Sequence, residues 1–84
     1  MATKSKKSGS ETLEKELKKL GKRITALRKK NGYKNHEKFA FQHDIGRSQY
    51  WRYEQGADMR FSSILKVIAA HGMTLKEFFS EGFE

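Results

Sequence analysis

The sequence predicts an all-α domain of four to five short helices around a single core. Three observations lead there. Apolar residues recur at spacings of three and four, Asn, Ser, Thr and Gly stand where those runs begin and end, and no useful length alternates in the manner of a strand. Proline is absent, so nothing breaks a helix from within. A chain of 84 residues buries only about 60% of the surface its unfolded form exposes, which leaves room for one modest core and no second domain.

Met1 to Ser10 is small, polar and basic, with nothing to bury, and is expected to be a disordered basic arm ahead of one domain spanning residues 11–84. Ser10 offers an N-cap. Leu13, Leu17, Leu20, Ile24 and Leu27 then keep to an arc of roughly 80° on an amphipathic helix of about 20 residues that ends near Asn31 and Gly32. Asn35 can cap a second, short helix whose Phe39, Ala40 and His43 share a face and which stops near Asp44. Gly46 opens a third helix ending at Gly56, with Tyr50 and Tyr53 on one side and Ser48, Arg52 and Gln55 on the other. A fourth carries Phe61, Ile64, Leu65 and Ile68 and stops at Gly72, and Thr74 caps a last turn with Leu75, Phe78 and Phe79.

Eighteen Lys and Arg against ten Asp and Glu give a net charge of +8, the footprint of a polyanion binder. The excess is uneven: residues 1–34 hold twelve basic and three acidic residues, residues 35–84 six and seven. A nucleic-acid-reading surface in the second part must therefore work through a few placed residues. The lysines of the first helix (Lys15, Lys18, Lys19, Lys22, Lys29) read first as solvated charge. Without cysteine, disulfides and thiolate metal sites are excluded, and His36, His43 and His71 lack the close spacing of zinc ligands, so no metal or other cofactor is expected. No apolar run approaches a membrane span and no signal-peptide stretch follows the basic start; a cytoplasmic, nucleoid-associated protein is the expectation. No nucleophile–base pair or phosphate-binding glycine loop can be assembled, which argues against an enzyme.

The run N-x-x-x-F-A-x-x-x-x-I-G-R-S-x-Y-x-R-Y-E-x-G from Asn35 to Gly56 resembles the Cro and phage-repressor (XRE) helix-turn-helix family. The resemblance extends to L-G-x-R-I-x-x-L-R before it (Leu20 to Arg28) and K-V-I-A-A-x-G-x-T-L-x-E-F after it (Lys66 to Phe78). It implies a lambda-repressor-like DNA-binding domain with a helix-turn-helix core at about 35–56, acting as a transcriptional regulator, commonly a repressor. The helix at 46–55 would enter the roughly 12 Å wide major groove of double-stranded DNA. By position, Arg47, Ser48 and Arg52 fall to base contacts, and His36, Gln49, Trp51 and Arg60 to the DNA backbone. Ala40 is the small residue at the helix crossing, Ile45 plugs the turn, Tyr50 and Tyr53 hold the reading helix to the core, and Arg28 and Glu54 form a structural ion pair.

The sequence departs from that pattern at Gly46, where a Ser or Thr cap is usual, at Asp44, where the turn usually has Gly, at Trp51, where a small polar residue is usual, and by one extra residue near Tyr33 and Lys34. His43 takes a leucine position and is expected as a half-buried core histidine, His71 as a helix-end cap. Phe41 either packs beneath the start of helix 1, near Leu13 and Leu17, or marks an exposed contact patch; packing is the favoured expectation. Because one short helix reads few base pairs, a homodimer on DNA is expected, with Trp51, Phe78, Phe79 and Phe83 as interface candidates. The alternative is an antitoxin-like module that neutralises a toxin-like partner protein.

Overall fold

The computed structural model describes the backbone of residues 6–84 and the side chains of residues 11–84. Five helices follow one another: α1 (Lys6–Lys30), α2 (His36–Gln42), α3 (Arg47–Glu54), α4 (Phe61–Ala70) and α5 (Leu75–Phe79). No strand occurs among the described residues. Leu20, Ile24 and Leu27 of α1, Phe39 and Ala40 of α2, Tyr50 and Tyr53 of α3, Val67 and Ile68 of α4, and Phe78 of α5 meet in one core, to which Met59 of the α3–α4 loop adds its side chain.

The expected caps of α2, α3 and α5 are present. Asn35 accepts a hydrogen bond from the Lys38 amide at 2.9 Å, and Thr74 and Glu77 form a reciprocal capping box. Gly46 starts α3 without a side-chain cap bond, a loss of only a few tenths of a kcal/mol against a Ser or Thr cap. Helix ends close with paired backbone bonds of the Schellman type. At the end of α2, the Asp44 amide donates to the Phe41 carbonyl and the Ile45 amide to the Ala40 carbonyl. Asp44 thus holds the left-handed position, φ 58°, where glycine is usual, and its carbonyl accepts a 2.8 Å bond from Lys66 Nζ of α4. The α2–α3 turn is thereby tied to the helix behind it.

Three expectations are corrected. First, α1 starts at Lys6, so Ser10 lies inside the helix and not at its N-cap. With no proline to stop it, the lysine-rich segment continues the helix, and Gly9 costs only about 1 kcal/mol relative to alanine. The part of the expected arm before Lys6 lies outside the described residues. Second, α4 is rotated from the expected face: Phe61 is 58% and Leu65 39% exposed. The face turned inward is Ile64, Val67, Ile68 and His71, an i, i+3, i+4, i+7 stripe in which a half-buried histidine takes the fourth apolar place. Third, Phe41 is 88% exposed and packs under nothing, and Leu13 is exposed with it. Helix α1 is apolar only from Leu17 onward where it meets the other helices.

The C-terminal aromatics also differ from expectation. Phe78 is fully buried, with Phe79 and Phe83 around it at ring separations of 4.9 and 6.3 Å. Arg23 fixes this cluster by donating to the carbonyls of Phe78 (2.8 Å) and Glu77 (3.1 Å), with its guanidinium 5.4 Å from the Phe78 ring centre. Phe78 is therefore withdrawn as an interface residue, because its side chain is spent on the chain's own core.

His71 does more than end α4. Its ring stacks on Phe39 at 4.9 Å and 14°, with His43 on the same phenyl ring at 4.5 Å. Its Nδ1 pairs with the Asn31 side-chain amide at 2.7 Å while Nε2 is buried without a partner. Burial, with His43 and Arg23 adding, holds the imidazole below the ordinary histidine range. The folded chain therefore disfavours protonated His71, and as pH falls below about 6.5 the unfolded chain takes up a proton that the folded one resists. Urea midpoints should fall from pH 7 towards pH 5 in the wild type and fall less in His71→Gln. Parallel profiles would contradict this account of His71.

Candidate nucleic-acid interface

Helix α3 divides into two faces. Tyr50 and Tyr53 are buried, while Arg47, Ser48, Gln49, Trp51 and Arg52 are exposed. The split follows from spacing: residues 50, 53 and 54 fall on one side of a helical wheel, and residues 47, 48, 51 and 52 on the other. The inner face is anchored by α1. Gly21 lets the two backbones approach so closely that a Cβ at that position would lie 2.6 Å from the Glu54 carbonyl oxygen. Beside it, Arg28 donates from Nε to Glu54 Oε2 at 2.6 Å, from Nη2 to Oε1 at 3.1 Å, and from Nη1 to the Tyr33 carbonyl at 2.9 Å. The expected Arg28–Glu54 pair is present as a forked contact whose side chains are 7% and 5% exposed. The carboxylate raises the Arg28 guanidinium above its ordinary range.

The Tyr50 hydroxyl lies next to this pair, buried and without a hydrogen-bond partner. Burial, and after it the adjoining Glu54 carboxylate, hold the phenol neutral well above the ordinary tyrosine range. An orphaned buried hydroxyl adds nothing to folding, so Tyr50→Phe should leave stability unchanged or raise it by up to about 1 kcal/mol. A loss of more than about 1 kcal/mol in chemical denaturation would mean that the hydroxyl is paired after all.

On the outer face, His36, Arg47, Ser48, Trp51 and Arg52 line one shallow groove of about 390 Å³. Five residues singled out in the sequence for base or backbone contact are thus brought together by α3 and the start of α2. Arg47 Nη1 lies 3.5 Å from Glu37 Oε2. With both side chains more than half exposed, the contact is worth little and leaves the guanidinium free to swing outward. Gln49 faces the opposite flank, in a small cleft with Asp44, Ile45, Gly46, Tyr53, Ser63 and Lys66. Arg60 is exposed at the start of α4 and is not among the residues lining the groove. The structural role of Lys66 on the turn carbonyl was not foreseen, since a lysine on α4 carries no sequence mark of a contact 22 residues away.

The outer face of α3 carries two guanidinium forks, a hydroxyl and an indole, and no carboxylate of its own. Such a set can donate to phosphate and to base edges, and stack or pack on flat surfaces. Among the described residues no group of His, Asp and Glu is arranged to hold a metal ion, and no helix is long and apolar enough to cross a membrane. No family model, curated protein or solved structure matches the chain.

Proposed function

We propose that the chain binds double-stranded DNA sequence-specifically, as a transcriptional regulator of the Cro and phage-repressor (XRE) type, with α3 in the major groove. One observation carries the reading: Arg47, Ser48, Trp51 and Arg52 stand on a single exposed face of a short helix whose opposite face is locked into the core. Arg47, Ser48 and Arg52 read bases, an arginine fork gripping guanine O6 and N7. His36 and Trp51, at the groove's edge, meet sugar and phosphate, and Gln49 and Arg60 extend backbone contact along the duplex on either side. Binding as a two-fold dimer doubles the short site. The protein then works beside DNA in the cytoplasm, and repression follows from occupying a promoter.

This division of labour is tested on a preferred duplex. Arg52→Ala should relax preference at one base position by roughly tenfold, while removal of residues 1–10 should weaken binding to every sequence and flatten its salt dependence. If both changes act alike on all sequences, α3 is not the reader.

Exposed Phe41 supports the second reading, an antitoxin-like module that neutralises a partner protein. A phenylalanine 88% exposed on α2 fits a protein surface better than a DNA backbone. Co-purification of a stoichiometric partner, lost in Phe41→Ser, distinguishes it.

A further inference from the structure

The charge excess of the sequence is not on α3. It lies along the solvent side of α1, where Lys15, Lys18, Lys22 and Lys29 fall within an arc of about 60° and extend over about 21 Å of helix. All four side chains are exposed, and none takes part in an ion pair among the described residues. Lys19, at the edge of the arc, is bound to Glu16 at 3.4 Å. The arc is centred nearly opposite the buried Leu20, Ile24 and Leu27.

The relation of this stripe to the α3 groove follows from packing. The buried side of α1 meets the buried side of α3, through Gly21 against the Glu54 carbonyl and Arg28 against the Glu54 carboxylate. On the helical wheel the centre of the stripe lies about 100° round α1 from Gly21 and Arg28, so the stripe forms a separate face from the α3 groove and approaches α3 only at Lys18, whose stem lies against Gly56. The α3 face carries a mixed set of arginine, serine and indole; the stripe carries four lysines, with the exposed carboxylates of Glu11 and Glu14 at its N-terminal end. Lysine ammonium groups are point charges on flexible stems, suited to phosphates and without the fork that reads a base.

We infer that the lysine stripe of α1 is a second, sequence-independent DNA-binding surface that holds the phosphate backbone of another duplex segment, so that one chain bridges two stretches of DNA. The inference rests on the proposed α3 reading only for the first of those stretches. Its chemistry is counterion release: each phosphate neutralised adds about 0.9 to the slope of log affinity against log salt.

The test uses the full chain, a surface-tethered duplex carrying its preferred sequence, and a free labelled duplex of random sequence. Wild type should capture the labelled duplex on the tethered one. A variant with Lys15→Gln, Lys18→Gln, Lys22→Gln and Lys29→Gln should keep its occupancy of the tethered duplex and lose about tenfold or more of the capture, with a salt slope lower by up to about 3.6. Glutamine matches lysine in helix propensity, and unchanged helical circular dichroism verifies the fold. Arginine at the same four positions keeps the charge and should keep the capture. Loss of capture in the glutamine variant of a chain that shows no sequence preference supports the stripe and overturns only the α3 reading. Capture unchanged in the glutamine variant overturns the inference, as does failure of wild type to capture at all. So does a variant defect confined to anionic phospholipid vesicles.

Discussion

Replacing Glu54 with alanine should cost about 3–5 kcal/mol of folding stability, measured as the shift in a urea or guanidinium transition, because it strands the Arg28 guanidinium in a buried place without its carboxylate. The two side chains are 7% and 5% exposed and joined by two bonds at 2.6 and 3.1 Å. A chain of this length has on the order of 5–10 kcal/mol of stability in all, so the variant should be close to unfolding at ordinary temperature. The loss measures the stranded charge and not the worth of the pair. Arg28→Met combined with Glu54→Leu should recover most of it, since apolar residues of similar volume fill such sites without desolvating an ion. If Glu54→Ala shifts stability by under about 0.5 kcal/mol, the pair behaves as a surface contact and the anchoring of α3 must lie elsewhere.

Gly21→Ala should destabilise the domain by about 2 kcal/mol, opposite in sign to what the substitution does in an unobstructed helix, where alanine is better than glycine by about 1 kcal/mol. The added methyl would stand 2.6 Å from the carbonyl oxygen of Glu54 and 3.0 Å from that of Tyr53. These are backbone atoms that cannot turn aside, so α1 and α3 have to separate. The strain falls on the end of α3, and if α3 reads DNA as proposed, weaker DNA binding should accompany the lost stability. A stabilised Gly21→Ala variant would show that the two helices do not meet in backbone contact.

Much of the architecture could be read from residues that punctuate the chain. Asn35, Gly46 and Gly56 bound α2 and α3 because caps and left-handed positions are local chemistry, legible without knowing the fold. The outer face of α3 was legible in part for the same reason: once Tyr50 and Tyr53 are taken as inner residues, the wheel places Ser48 and Arg52 outside, while Arg47 and Trp51 were singled out only through the family resemblance. What the chain did not disclose depends on partners far away in sequence. The rotation of α4 hides because Phe61 and Leu65 are as apolar as the residues that displace them, and only the stacking of His71 on Phe39 marks the true inner stripe. Phe78 looked like an interface residue because nothing local shows that Arg23, 55 residues earlier, closes over it. Helix α1 runs on to Lys6 because no residue there forbids it, and an absent stop signal is harder to read than a cap.

Whether α3 reads sequence in the major groove, as proposed, is tested most directly by selection from a random duplex library at about 150 mM salt, then titration of the selected site against scrambled DNA. A two-fold-symmetric site should be enriched and bound about 1,000-fold or more tighter than the scrambled duplex. Absence of enrichment, with only weak and salt-sensitive binding, would contradict that reading.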